Sequence, residues 1–182
     1  MRSLLAALLL LCGNLQAHEL QGNQVTVVLH EQHSITAVLR LDYAGLLQHV
    51  MAPDSNPAEF LALVAAQGPE QLEAGIAMLK SQVQQGLVIR NSGQLLALSQ
   101  WEWPSTVVIH AALREQLMAA LVDGRTAVEN PALEVRAVAS DLLAINRLAL
   151  ELPELLKPAV VLWYRPQQAV MNPQSPVQVM EF

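Results

Sequence analysis

The sequence has a single cysteine, Cys12, and it lies inside the apolar N-terminal stretch. If that stretch is removed on export, the remaining chain has no cysteine at all. A disulfide bond, a thiolate nucleophile and a cysteine metal ligand are then all excluded from the mature protein.

Positive charge is also scarce. Ten lysines and arginines face sixteen acidic residues, and the only lysines are Lys80 and Lys157. Phosphate binding needs clustered basic side chains, so the composition excludes nucleic acid as a partner class. Long apolar runs are missing beyond the N-terminus, and we therefore expect no membrane-spanning helix once the first segment has been cleaved.

The common catalytic motifs are also missing. The sequence has no G-x-S-x-G, no H-E-x-x-H, no glycine-rich phosphate loop and no cysteine pair. This pattern predicts a protein that is not an enzyme. A hydrolase whose site is assembled from residues distant in sequence is the remaining alternative in that class.

The N-terminus has the order of a secretory signal peptide. Arg2 supplies the positive charge, an apolar run follows to Leu11, and a more polar segment ends at Ala17. We predict cleavage after Ala17, which leaves 165 residues with a net charge of about −7 and a periplasmic or secreted location. Lipidation of Cys12 is the alternative, but a lipobox needs a small residue before the cysteine, and Leu11 is large.

The mature chain begins with two alternating segments, Gln24 to His30 and Ile35 to Leu41, which predict a β-hairpin. Bringing both apolar sets to one face pairs Leu29 with Ile35 and leaves Glu31-Gln32-His33 as the loop. The sequence predicts four further units before the C-terminal strands. These are a short helix from Tyr43 to Val50, a helical hairpin over 57–85 that begins at the cap Asn56, a second β-hairpin around Asn91-Ser92-Gly93, and a helix that is capped by Ser105 and runs to about Val122. We expect the apolar stripe of this last helix to consist of Ile109, Leu113, Leu117, Ala120 and Leu121.

Three strands close the predicted fold, at Leu133 to Ala139, Arg147 to Leu152, and Val160 to Arg165. The last is continuously apolar from Ala159 to Tyr164, which is typical of a central strand. We expect one α+β domain over 18–166 with a mostly antiparallel sheet. Residues 167–182 form a Gln- and Pro-rich tail, in which Val177 to Phe182 is an edge-strand candidate.

His18 is the first residue of the predicted mature chain and would carry both a free α-amine and an imidazole. Such a terminus suits Cu(II) or Ni(II), so a copper or nickel site is a hypothesis, although no cofactor is required. A second histidine would be needed, and no spacing selects one. The candidates are His30, His33, His49 and His110. Of these, His30 lies opposite Ser34 in the predicted hairpin. A solvated turn is a simpler interpretation of this position than a metal site.

Trp101 and Trp103 flank Glu102, so an extended backbone would place both rings on one side. A ligand surface formed by the two rings is one interpretation, and core anchoring is the simpler one. Arg165, at the end of the last strand, is a further candidate for contact with an anion. The simpler interpretation is that the charged residue and the proline only end the strand and bind no ligand.

The segment His18-Glu19-Leu20, the opening hairpin and the stretch Leu39-Arg40-Leu41-Asp42-Tyr43 resemble periplasmic segments that accompany hydrogenase- and urease-associated nickel permeases. The order that follows is also similar, with helices, a hairpin around Asn91-Ser92-Gly93 and paired C-terminal strands. The chain departs from that family because it lacks the membrane helices that carry transport, so no functional residue is carried over. The resemblance implies a free-standing exported accessory domain.

Together these patterns predict an exported, non-enzymatic accessory or binding protein. We expect it to act by contact with a periplasmic or membrane protein near a membrane assembly. Copper or nickel binding through His18 is the alternative function.

Overall fold

The computed structural model describes residues 22–30, 33–123, 133–140 and 144–166. The predicted signal peptide, His18 and the tail after residue 166 lie outside these ranges. The helices are α1 (Tyr43–Met51), α2 (Pro57–Ala66), α3 (Glu73–Gly86) and α4 (Thr106–Asp123), with short 3-10 helices at Pro69–Leu72 and Glu154–Leu156. The strands are β1 (Asn23–His30), β2 (Ser34–Arg40), β3 (Val88–Asn91), β4 (Gln94–Leu96), β5 (Ser99–Glu102), β6 (Val135–Ser140), β7 (Leu148–Glu151) and β8 (Ala159–Tyr164).

The opening hairpin has the register that the sequence predicts. Leu29 pairs with Ile35 and Val27 with Ala37, and all four side chains lie on the face of the sheet that packs on the core. A shift of one residue would turn every one of these side chains to the other face, which is why the apolar pattern alone was sufficient to fix the pairing.

The strands divide between two sheets. The larger has the order β5-β6-β2-β1-β8, and the smaller has the order β4-β3-β7. Most neighbours are antiparallel, but β8 runs parallel to β1. The predicted α+β class is confirmed, whereas the two predicted hairpins belong to different sheets and each of the last three strands pairs with a different partner.

The second hairpin turns through Ser92 and Gly93. Both have positive φ values, 50° and 92°, as a two-residue type I′ turn requires. Asn91 at its start is buried, accepts a hydrogen bond from the Asn146 N–H at 3.3 Å and donates to the Ala144 carbonyl at 3.2 Å. The turn is thereby fixed to the segment that leads into β7.

The predicted helix caps are present. Asn56 Oδ1 accepts from the Ala58 N–H at 2.9 Å, and Ser105 Oγ accepts from the Val108 N–H at 3.3 Å. Side-chain oxygens at these positions satisfy amides that have no partner inside the helix. Both helices of the predicted helical hairpin form. Each packs mainly on a helix outside the hairpin: α2 packs on α4, and α3 packs on α1.

Two predictions were wrong. The last strand, β8, is at the edge of the five-stranded sheet and not at its centre. Leu121, placed on the buried stripe of α4, is exposed, while Ile109 and Leu113 on the same helix are buried.

No helix among the described residues has both the length and the apolar character to cross a bilayer.

Candidate protein-contact surface

The histidines proposed as metal ligands do not form a site among the described residues. His18 lies outside them. His30, at the exposed end of β1, has its Nε2 atom 3.1 Å from Thr36 Oγ1 on the neighbouring strand. His33 and His49 are exposed. Within the described ranges no three residues of the types His, Cys, Asp or Glu come together as a metal site would require.

His110 is the buried histidine of this set. It lies on the packed side of α4, and its Nε2 atom has no hydrogen-bond partner among the described residues. Its neighbours Ile109 and Leu113 on the same helix belong to the hydrophobic core.

Trp101 and Trp103 do lie on one side of the chain, as predicted. Their ring centroids are 6.0 Å apart with planes 19° from parallel, and Lys80 Nζ lies 5.7 Å from the Trp103 centroid. Both rings pack against the core, and the Trp103 Nε1 atom is buried. This geometry favours the interpretation as core anchors, with the lysine supplying a cation–π contact.

Arg165 is far from the tryptophans. It follows β8 at one edge of the larger sheet, while Trp101 lies in β5 at the opposite edge. Four strand spacings separate the two edges, a distance of roughly 19 Å. Trp101, Trp103 and Arg165 therefore do not contribute to one ligand surface.

The surface that sequence reasoning missed lies on β8 itself. Leu162, Trp163 and Tyr164 are exposed to 46%, 50% and 60%, respectively. On its other side β8 has no strand neighbour among the described residues. We call these three side chains, together with the unpaired side of the strand, the β8 edge.

The two faces of β8 can be assigned from its pairing with β1. Trp163 is the partner of Val27, so its side chain points to the core face of the sheet. Leu162 and Tyr164 are the partners of Thr26 and Val28, so they point to the outer face. The β8 edge is therefore apolar on both faces, a composition that suits a strand covered on both sides.

An open edge of this kind has two binding capacities. Alternate residues direct backbone N–H and C=O groups away from the sheet, where an extended chain can pair with them. The exposed leucine and aromatic rings supply apolar area on both sides of such an added strand. Soluble proteins usually protect long apolar edges with charge or proline, and here the first charged residue is Arg165, beyond the strand.

Of the two charged residues at the ends of β8, one forms an ion pair among the described residues and the other does not. Lys157 Nζ lies 3.0 Å from Glu154 Oε2, within its own loop. Arg165 is exposed and forms no ion pair within the described part of the chain. A free guanidinium beside an apolar edge favours a partner with a carboxylate next to its apolar segment.

Comparison with known proteins gives no relative. No protein-family model matches this chain, and neither a curated protein nor a solved structure matches it. The resemblance to segments that accompany nickel permeases therefore stays a prediction. The signal that would have located the β8 edge was present in the sequence: an apolar strand followed at once by Arg165-Pro166.

Proposed function

We propose that this protein is an exported, non-enzymatic binding protein that acts by protein contact at the β8 edge. The observation that carries the proposal is the exposure of Leu162, Trp163 and Tyr164 on a strand with an unpaired side. Strand addition is a general mode of recognition in which main-chain hydrogen bonds give affinity and side chains give specificity.

The partner has a definable chemistry. It supplies an extended segment with leucine-sized or aromatic side chains on both faces, which cover Trp163 on one side and Leu162 and Tyr164 on the other. A carboxylate near the end of that segment pairs with Arg165. A segment of this kind in another protein is apolar enough to need burial, and strand addition provides it.

The proposed location follows from the N-terminal sequence. A signal peptide cleaved after Ala17 delivers the chain to the periplasm, where the partner is a periplasmic protein or the exposed part of a membrane assembly. The acidic charge and the near absence of lysine keep the chain away from anionic lipid headgroups, so protein is the favoured contact.

A co-purification experiment with three forms of the exported protein tests the proposal. In Leu162→Lys a charge is placed on the β8 edge, and in Leu63→Lys the same change is made on α2, where the leucine is 56% exposed. We expect the wild type and Leu63→Lys to retain one partner from periplasmic or membrane extract and Leu162→Lys to lose it. Absence of a reproducible partner, or equal retention by Leu162→Lys, would refute the proposal.

Copper or nickel binding at His18 remains the alternative, and it is tested separately. The mature protein is titrated with Cu(II) and Ni(II) beside a form with one alanine added before His18, which converts the α-amine into an amide. Tighter binding by the unextended protein would support a terminal site. Equal affinity in the two forms eliminates the terminus as a ligand and leaves the protein-contact proposal unaffected.

A further inference from the structure

The two edge strands of the larger sheet differ in how regular they are. The register of β5 on β6 shifts between Ser99 and Glu102, and Gln100 between them has a positive φ of 51°. Such a bulge interrupts the row of backbone groups along an edge and is one means by which proteins protect it. The register of β8 on β1 continues without a shift from Ala159 to Tyr164, so the β8 edge keeps an unbroken row.

The direction of the backbone groups in this sheet follows from one hydrogen bond. Ser99 Oγ donates to the Val138 carbonyl at 3.1 Å, so Val138 directs its backbone polar groups to β5. Consecutive residues of a strand direct these groups to opposite neighbours. Ala137 and Ala139 therefore direct their N–H and C=O groups to β2.

The same alternation continues from β2 to β1. Ile35 and Ala37 are the partners of these two alanines and bond to β6. Thr36 lies between them and therefore faces β1, where its partner is Val28. Val27, the neighbour of Val28, consequently directs its backbone groups to the other side of β1, which is the side of β8.

A hydrogen bond in the opening hairpin gives the same alternation independently. The carbonyl of His30 accepts from the His33 N–H at 3.2 Å, in the loop that leads to β2. His30 is two residues beyond Val28, so both direct their backbone groups to the same side of β1. That side is again the side of β2.

The open side of β8 can now be assigned residue by residue. Val27 faces β8, and its partner there is Trp163. In a parallel pair a residue bonds to the two neighbours of its partner, which here are Leu162 and Tyr164. Val161 and Trp163 therefore direct their N–H and C=O groups away from β1, where an added strand can bond to them.

We infer that the partner strand runs antiparallel to β8, bonds to the backbone of Val161 and Trp163, and begins with an acidic residue opposite Arg165. This inference rests on the proposed function, which it makes specific in orientation and sequence order. Antiparallel pairs have hydrogen bonds perpendicular to the strands and are more stable per residue than parallel pairs. In the partner sequence the acid then precedes the apolar residues.

The charges at the two ends of β8 favour an acid beside Arg165. Its guanidinium is exposed and forms no ion pair within the described ranges, and Pro166, which follows it, has no N–H to extend the ladder. At the other end Lys157 is paired with Glu154, whose side chain is 89% exposed. A partner carboxylate at that end would meet this acid and be repelled.

Two capped hexapeptides of the same composition test the order. The first is acetyl-Glu-Tyr-Leu-Val-Thr-Thr-amide, in which leucine lies opposite Trp163, and the second has the reversed sequence. We expect the purified protein to bind the first peptide about five-fold more tightly in calorimetric titration. In Arg165→Gln this preference should disappear. Equal affinity of the wild type for both peptides, or tighter binding of the reversed one, would overturn the inferred order.

Methylation of single peptide nitrogens tests the hydrogen bonds. In the first peptide the leucine N–H points to Trp163, so its methylation should weaken binding about ten-fold or more. The N–H of the next residue, valine, points away from β8, and its methylation should change the affinity less than about two-fold. Equal losses at the two positions would overturn the assignment of the open backbone groups.

The variants Leu162→Lys and Leu63→Lys separate this inference from the proposed function. We expect Leu162→Lys to bind neither peptide and Leu63→Lys to bind both as the wild type does. Circular dichroism of each variant verifies that the fold is retained. Failure of the order or methylation tests alone leaves the β8 edge as the contact surface. Binding of neither peptide by the wild type at millimolar concentration, or equal binding by Leu162→Lys, would refute the proposed function together with the inference.

Discussion

Val27 and Trp163 are direct partners across the parallel β1–β8 pair, yet Val27 is 1% exposed and Trp163 is 50% exposed. Both side chains point to the same face of the sheet, so the difference arises from position and not from orientation. The strand β1 has β2 on its other side, whereas β8 has no second neighbour among the described residues. The core thus ends at β8, and Trp163 is the residue at its boundary.

This boundary leads to a prediction about stability. We expect Trp163→Ser to lower the free energy of unfolding by about 2 kcal/mol, less than the roughly 3–5 kcal/mol that removal of a fully buried tryptophan costs, because half of the ring is already in contact with water. The matched change in the core, Val27→Ala, should cost about 2 kcal/mol. Urea unfolding of the purified protein measures both.

The same pair of variants tests whether the chain covers its own edge. If residues 177–182 packed on β8, Trp163→Ser would cost as much as removal of a fully buried tryptophan, roughly 3–5 kcal/mol, and a form ending at Pro166 would also lose stability. That outcome would contradict the availability of the β8 edge for another protein.

Tyr43 is a buried tyrosine whose hydroxyl has no hydrogen-bond partner among the described residues. Burial disfavours the charged phenolate and raises the pKa of Tyr43 well above its usual range. We expect Tyr43→Phe to raise the free energy of unfolding by about 1 kcal/mol, since a buried group without a hydrogen-bond partner is removed while the ring stays.

The control for this change is Tyr164→Phe, because Tyr164 is 60% exposed and its hydroxyl can bind water. Thermal unfolding should show no change in midpoint for Tyr164→Phe and a rise for Tyr43→Phe. A fall in the midpoint of Tyr43→Phe would mean that its hydroxyl has a bound partner such as water.

Glu134 bridges two arginines across the larger sheet, with 3.0 Å to Arg40 Nε and 3.1 Å to Arg136 Nη2. Burial alone would raise the pKa of its carboxyl, but the hydrogen bonds and charges of Arg136 and Arg40 outweigh that effect, so the pKa is lower than its ordinary value. The stabilisation is therefore fully present above the unfolded value of about 4.3 and is lost as the pH falls through the lower folded value.

We expect Glu134→Gln to cost about 1 kcal/mol at neutral pH and nothing at about pH 2, where the carboxylate of the wild type is protonated as well. Urea unfolding over this pH range measures the difference. Glu154→Gln is the comparison, because that carboxylate is exposed and, within the described ranges, forms an ion pair with the nearby Lys157 alone, and the change should have almost no effect at any pH. A pH-independent cost for Glu134→Gln would contradict the assignment.

Asn23 is a buried side chain that joins three parts of the fold. Its Nδ2 atom donates to the Leu156 carbonyl at 3.2 Å, and its Oδ1 atom accepts from the Asp42 N–H at 3.0 Å. Replacement by alanine leaves both backbone groups without a partner, and we expect a loss of about 2–3 kcal/mol. The surface change Gln84→Ala on α3 is the control, and equal stability of the two variants in urea would show that water replaces the asparagine.

The fold was predictable where one strong physical constraint acts locally. The pairing of Leu29 with Ile35 follows from the need to bury one face of a hairpin, and the caps at Asn56 and Ser105 follow from unsatisfied amides at helix starts. The turn at Ser92 and Gly93 is equally local.

The site was missed because its residues violate the rule used to place them, and because the sequence signal for an edge, Arg165-Pro166, stands after the strand and not within it. A continuously apolar strand is normally central, so Leu162 and Trp163 were assigned to the interior, and Leu121 was assigned to the buried stripe of α4 for the same reason. An apolar sequence pattern does not distinguish a residue that is buried within its own chain from a residue that is buried against another protein. The error at β8 falls on the surface for which we propose a partner.

The most direct test of the account is site-specific crosslinking at the β8 edge in the cell that produces the protein. A photoreactive amino acid is placed at Tyr164 and, as the control, at Leu63, and the crosslinked peptide is identified by mass spectrometry. The account predicts one defined adduct from position 164, mapped to an extended apolar segment of another protein and absent when Leu162→Lys is present. No adduct from position 164, or the same adducts from both positions, would contradict it.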